Sequence, residues 1–509
     1  MTPVLTRRHF LATAGAAPVG WFWGGGQAPG GPARAADVVV IGGDPAAYAA
    51  VYRLAQDPAL RVTLVLDAPP WQRVTAVSPT TPLAELPPFV RGHQVSFDGW
   101  RDRGNAGWGY TDVLPAFKRL ERYEAGASAS RGGDGPLSVT HCWDPHLAHR
   151  AFLMACVPSG FLQDSRHDFN GPRSQSVAGY YQKAILDDRP HTLEGAFLAP
   201  VRDRGNVSVV SGGHVSRVVM DGTRAVGVEY VVDGTRQVLR AERAVMLCAE
   251  PARAAQLLML SGIGPAVALR TAGVPVVVDR AGVGRNAHDQ LRLPLRYPAL
   301  QALQTLPAST VSAGMFTVSL NASPPDLQMD FVEPRVGGPQ AFGLDVILVR
   351  PSSRGAVTLA SGNPAEAPVV SLNALSTAAD MTALVQGLRL GRMVMTGTAL
   401  DRFRGEETAT TAVAQAAADL PGLVRAVATP CGHLAGTCAM GPATDPAAVV
   451  DPTLAVHGVQ GLRVAGAAVM PDIVNAPPEA ASLMIGDRCA EFVLRGMPAR
   501  VPARVPARA

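Results

Sequence analysis

The stretch VVVIGGDPAAYAAVYRL, residues 38–54, decides how this 509-residue chain is read. Val38 to Ile41 form an apolar run that suits a strand buried on both faces. Gly42 and Gly43 break the run, and the Ala-rich segment 46–55 that follows has the composition of a helix lying close on a sheet. RVTLVLD, residues 61–67, supplies a second buried strand. Strand, turn, helix and strand predict the βαβ start of a parallel sheet. Such a turn aims a helix N-terminus at the phosphates of a dinucleotide. In the G-x-G-x-x-G/A pattern the small positions fall here on Gly42, Asp44 and Ala47. Gly42 and Ala47 fit the pattern. Asp44 puts a carboxylate where an anion would bind.

Asp44 is followed by Pro45, and the pair has a local logic. Asp is a favoured helix N-cap, and Pro is favoured next because its missing N–H would lack a partner anyway. The carboxylate can accept from the amides near Ala46 and Ala47 and meet the positive end of the helix dipole, worth about 0.3–1 kcal/mol. Two readings stay open: a helix start carrying its own anion, or an adjusted loop that still holds a cofactor. Asp67, at the end of the second strand, suits either a ribose hydroxyl or the turn begun by DAPP.

Outward from this stretch, 47% apolar and 17% charged residues describe a globular chain, and its length implies two domains. The net charge is +4; Lys118 and Lys183 are the only lysines. No arginine stripe is interleaved with aromatics, so no nucleic-acid partner is expected. Residues 1–36 predict a twin-arginine signal: Arg7-Arg8, a weakly apolar run, then a small-residue site near ARA, 33–35. The expectation is export to the periplasm or beyond; an unprocessed N-terminal extension is the other reading. The run is too short and Gly-rich for a bilayer span, so no integral membrane segment is expected. Cys142, Cys156, Cys248, Cys431, Cys438 and Cys489 form no C-x-x-C pair, which argues against a zinc ribbon or thioredoxin motif and leaves disulfide pairing open. Residues 496–509 read as a disordered basic tail.

A Pro-rich linker covers 68–88, and an amphipathic helix follows in GNAGWGYTDVLPAFKRLERYE, 104–124. NVSVVSGGHVSRVVM, 206–220, predicts a hairpin turning at Gly212-Gly213, and Asp233-Gly234 a second one. AAQLLMLSGIGP, 254–265, predicts a buried helix stopped by Gly262. A strand-rich block spans 327–372, a long helix 380–395, and the last elements are GLRVAGAAVMP and AASLMIGDRCAEFVL.

These landmarks resemble the glucose-methanol-choline (GMC) oxidoreductase family. The resemblance rests on 38–54, VRGHQVSFDGWRDRGNAGWGYTDVLPAFKR, NVSVVSGGHVSRV, QLLMLSGIGP, GVGRNAHDQL, GHLAGTCAMGP and VHGVQGLRVAGAAVMP, in this order over most of the chain. It implies an α/β chain: a Rossmann-like FAD-binding domain from 37–140, 200–290 and 430–495, with a second α+β substrate domain, built on an antiparallel sheet, from 141–199 and 291–429. It implies a small-molecule alcohol substrate, hydride transfer to FAD, and an electron acceptor or protein partner beyond. FAD would lie against Gly42, Gly43, Ala47, Asp67, Val215 and Gly466. His433, in GHLAGTC, would be the base that takes the alcohol's proton, since a neutral imidazole does this near pH 7; a buried histidine with a satisfied hydrogen bond is the other reading. The family's second His or Asn aligns with Pro477, so Asn475, with Glu479 beside it, is the candidate partner.

The chain departs from the family pattern in one neighbourhood. PTTPLAELPPFVRG stands where the family has a Gly-Gly-Ser-Ser-type loop. Glu250 and Arg253, in EPARAAQLL, replace two glycines of GAIGSPQLL, and Gly466 replaces an Asp that contacts FAD. HCWDPHLAH, 141–149, places His146 and His149 on one helix face, as metal ligands or as an ordinary helix start. Two functions follow: an exported FAD-dependent alcohol oxidoreductase, or a family member that keeps the scaffold, binds FAD poorly or not at all, and serves as a binding or partner subunit.

Overall fold

The computed structural model describes residues 35–71, 81, 86–141, 147–171, 177–300, 312–319, 324–333, 340–408 and 419–496. The predicted signal (up to residue 34), most of the 68–88 linker, residues 142–146 and the tail beyond 496 lie outside the described residues.

The quoted stretch folds as read. β1 (Ala36–Ile41) is fully buried, α1 (Pro45–Leu54) follows, and β2 (Val62–Asp67) pairs parallel to β1. β3 (Val207–Asp221) pairs parallel to β2 on its first half, and the last part of β5 (Thr235–Leu247) pairs parallel to β1. β6 (Leu462–Val464) adds to β5 on the far side. The parallel order is therefore β3-β2-β1-β5-β6, the doubly wound arrangement in which ligands lie beyond the carboxyl ends of the strands. α2 (Pro251–Leu260) leaves the end of β5, and α3 (Glu479–Arg495) packs on α1.

The predicted hairpin at Gly212-Gly213 does not form. β3 is one strand of 15 residues that changes partners: parallel to β2 up to Gly213, then antiparallel to β4 (Arg224–Val232). Gly212 has φ +77, a kink within the strand rather than a reversal. The second hairpin is present: Asp233 and Gly234 have φ 49 and 72, the double positive φ of a tight turn matched to strand twist.

A second sheet lies in 162–430. Leu291–Pro298, Ala341–Leu348, Leu327–Val332, Ala313–Thr317 and Val177–Tyr180 run antiparallel to their neighbours in that order. The helices Leu147–Cys156, Ala378–Met395 and Leu420–Val427 supply apolar residues to the core beneath it. Buried apolar residues divide accordingly into two large clusters, one around the β1–β6 sheet and one around the antiparallel sheet. The α/β class and the antiparallel second sheet agree with the sequence reading. No helix among the described residues is long and apolar enough to cross a membrane.

Candidate active site

Asp44 caps α1. Its backbone is extended (φ −68, ψ 152), and the Ala46 N–H donates to its Oδ1 at 3.0 Å. The Ala47 N–H goes instead to the Asp44 carbonyl at 2.8 Å. Burial pushes the Asp44 carboxyl up to about 7; the Ala46 N–H acts the other way, and Glu250 and Glu479 reinforce the rise. Gly42, at φ +121, leaves no room for a side chain, since a Cβ would lie 2.0 Å from the Cys248 carbonyl at the end of β5. Gly43 is exposed with open space around it, and Ala47 is on the buried face of α1. Gly466 follows β6 at φ +97, and a Cβ there would lie 2.7 Å from Asp44 Oδ1. The absence of a side chain at 466 thus leaves room for the Asp44 carboxylate.

Asp67 is engaged from two sides. The Val215 N–H donates to its Oδ1 at 2.8 Å. Arg253, on α2, donates from Nε to Asp67 Oδ2 at 2.7 Å and from Nη2 to Oδ1 at 3.2 Å. The same Nη2 donates to the Val215 carbonyl, and Nη1 donates to Gln256 Oε1 at 2.7 Å. Gln256, one turn along α2, is held by the Glu366 carbonyl at 2.7 Å. Both charged side chains are 1% exposed. Asp67 is committed to this chain's own arginine and the Val215 N–H, and the Val215 carbonyl to the same arginine.

His433 lies in the loop after Thr429–Pro430. Asp289 accepts from its backbone N–H at 2.9 Å and from the Gly432 N–H at 3.1 Å. Its Nδ1 is 2.8 Å from Gln290 Oε1. Gln290 is fully buried, and its Nε2 lies within 3.0–3.1 Å of the Val349, Val474 and Ala476 carbonyls. Three carbonyls fix the amide with its NH₂ toward them, so Oε1 faces the imidazole as an acceptor. Nδ1 therefore carries the proton, and Nε2 keeps a free lone pair. Burial, with the nearby positive charge of Arg292, holds the imidazole down to about 4, so it is neutral at pH 7. This is the condition of a general base. Burial also lifts Asp289 to about 6 against the backbone N–H groups that bond it.

A cleft of about 520 Å³ opens beside His433, within the usual range for small-molecule sites. Its walls include Asp44, Glu250, Gly432, His433, Pro477 and Glu479. It joins the N-termini of α1 and α3 to the His433 loop. Asn475 does not line it. The Asn475 Oδ1 accepts from the His93 N–H at 2.6 Å and the Ser96 hydroxyl at 3.2 Å, tying the start of the Gln94–Asp102 helix to the loop before α3. Glu479, at the start of α3, shares the cleft with His433, as do Asp44 and Glu250; burial raises its carboxyl.

Sequence reasoning missed Gln290 and Asp289. They stand in NAHDQL beside His288, which would draw the eye first. His288 is structural: it lies on the Asn286 carbonyl at 2.6 Å and accepts the Ile473 N–H at 2.9 Å. Of the proposed metal cluster, His146 lies outside the described residues, and His149 is buried against Glu333 at 3.1 Å. No group of possible metal ligands is found among the described residues, and the described cysteines are free.

A dinucleotide in a doubly wound fold places its pyrophosphate at the helix after the first strand and its ribose on the acid ending the second. The residues present do not fit FAD in that manner. The first position faces the Asp44 carboxylate, with Glu250 and Glu479 in the same cleft. At the second, Asp67 already holds a bidentate guanidinium.

Two family models described as GMC oxidoreductase match residues 87–292 and 351–486. An oxygen-dependent choline dehydrogenase of Brucella ovis is 34% identical over 441 residues, covering 81% of this chain and 80% of that one. The mitochondrial choline dehydrogenase of Mus musculus is 34% identical over 442 residues, covering 81% and 74%. Among solved structures, pyridoxine 4-oxidase from Mesorbium loti superposes with a TM-score of 0.80 at 25% identity, covering 91% of this chain and all of that one. An Aspergillus oryzae formate oxidase, whose FAD modification is the subject of that structure, superposes at 0.81 with 20% identity, covering 92% and 99%, and so bears on the fold alone. With domain models over most of its length and relatives a third identical along four fifths of it, the chain belongs to the GMC oxidoreductase family.

Proposed function

We propose that this chain acts on the CH–OH group of a small alcohol bound in the cleft, with His433 as the proton acceptor. The observation that carries the reading is the neutral imidazole whose Nε2 lone pair is left free by the Gln290 lock. An alcohol hydroxyl donating to Nε2 can give up its proton there, the carbonyl forming only when a two-electron acceptor takes the hydride from carbon. A base in this position contributes about 10²–10⁴-fold to such a step. Choline is the first candidate, since the most similar relatives cited above are choline dehydrogenases, and a cleft bearing Asp44, Glu250 and Glu479 suits a cationic alcohol. Export by the twin-arginine signal at residues 1–36 is part of the same reading.

Oxidation also needs an acceptor for the hydride leaving carbon. Flavin fills that role in FAD-dependent members, but Asp44 and the Asp67–Arg253 pair occupy the places where its phosphates and ribose would lie. A second reading is therefore carried by the Asp67–Arg253 pair: a family member that binds a hydroxylated ligand and does not turn it over. Full-length protein assayed with a panel of alcohols and a two-electron dye, with and without added FAD, decides between them. Alcohol-dependent dye reduction, lost in His433→Ala, supports the first reading. Ligand binding by calorimetry without turnover supports the second. Absence of both would refute the alcohol assignment.

A further inference from the structure

We propose that this chain fills its own dinucleotide seat: Arg253 stands on the ribose side, Asp44 on the phosphate side, and Gly466 is the matched change that admits Asp44. FAD accordingly does not bind there as it does in a doubly wound flavoprotein. The inference deepens the second reading above and stands on contacts within this chain.

The ribose side is saturated. A buried acid at the end of β2 is useful to a nucleotide only if its oxygens can accept from ribose hydroxyls. Here Oδ1 accepts from Val215 N–H and Arg253 Nη2, and Oδ2 from Arg253 Nε. Arg253 cannot swing away cheaply. Its remaining donors are spent on the Val215 carbonyl and Gln256, and Gln256 is anchored on the 364–366 segment. The guanidinium thus offers the acid and the Val215 carbonyl donors of the kind that ribose hydroxyls and a base would bring.

The phosphate side is filled by a coupled pair. Asp44 spends the Ala46 N–H, one of the free donors at the N-terminus of α1. Its Oδ1 occupies the space a side chain at 466 would need, because a Cβ there would come within 2.7 Å of it. A side chain at 466 would press on the Asp44 carboxylate. Gly466 also has φ +97, so any side chain there adds backbone strain. The two positions, on distant loops, meet at this one contact.

The test uses the full chain purified from a flavin-replete host. The expected result is a colourless protein with less than a tenth of an equivalent of flavin released on denaturation, and no rise in Tm with millimolar FAD, FMN or NADP⁺. Release of about one equivalent of FAD, or a dose-dependent Tm rise with any of the three, overturns the proposal. The second arm is a cycle on Asp44→Gly and Gly466→Asp. Gly466→Asp alone is expected to lower Tm, and the double variant to recover the part due to the clash with Asp44, the backbone strain at 466 remaining. Additive effects would refute the coupling even if flavin is absent. Failure here differs visibly from failure of the alcohol assignment: a yellow protein that turns over alcohol sinks this inference and leaves the functional reading standing.

Discussion

Arg253→Met tests the closed seat through stability rather than ligand. The substitution keeps an aliphatic stem of similar length on α2 and removes only the guanidinium. Asp67 would then be left 1% exposed, with the Val215 N–H as its remaining donor. Removing one member of a buried pair costs about 3–5 kcal/mol, against about 0–1 for an exposed pair. The Val215 carbonyl and Gln256 also lose a donor, so the upper half of that range is expected. Asp67→Asn leaves the opposite orphan, a buried cation, and should cost a similar amount. The double variant should fall short of the sum of the singles by about 2 kcal/mol or more, because each single already breaks the shared contact. Urea unfolding followed by tryptophan fluorescence, without added flavin, reads all four proteins. A deficit below about 1 kcal/mol for Arg253→Met, or additivity across the cycle, would show that the pair is not the closed ionic plug described above.

Asp44, raised to about 7 from a usual value of 3.8, binds protons more readily in the folded state, so it removes stability as pH rises from about 4 to about 7. Asp44→Asn keeps an oxygen for the Ala46 N–H and should flatten this part of the stability–pH curve, by on the order of 4 kcal/mol at most; an unchanged slope in urea unfolding refutes it. If alcohol turnover is found, kcat/KM should hold steady down through pH 6 and fall only near pH 4, where His433 gains its proton; a limb near 6.5 would contradict the buried neutral imidazole. Gln290→Met removes the acceptor that fixes the His433 tautomer and should lower kcat about 10²-fold while moving that acid limb; an unchanged profile would reduce Gln290 to packing.

Much of the first sheet was legible because its information is local. A buried run, two glycines and an Ala-rich helix follow one another within β1–α1, and the Asp44 cap spans only two positions, so its geometry could be argued from Asp-Pro alone. β3 was misread for a physical reason. Gly212-Gly213 looks like a reversal in one dimension, but the strand keeps going because β2 supports its first half and β4 its second. Asn475 attracted attention as a neighbour of Pro477. Its side chain is used to hold the Gln94–Asp102 helix, nearly 400 positions earlier in the chain, and nothing near 475 announces that partner.

The site itself depends on meetings that no window of sequence contains. Asp67 and Arg253 were each noticeable, one as an acid closing a strand and the other as a bulky residue where glycine is usual. Their separation of 186 positions hid that the second answers the first. Asp44 and Gly466 show the same logic, since an acid at one position and a bare glycine at the other look unrelated until the contact between position 466 and the Asp44 carboxylate is seen. Random decay of an unused cofactor site would leave buried polar groups without partners, each costing about 1–3 kcal/mol. Here the acid, the arginine, the β3 backbone and the helix N-terminus satisfy one another. That mutual satisfaction is what the proposed self-filled seat requires and what a merely worn site would lack.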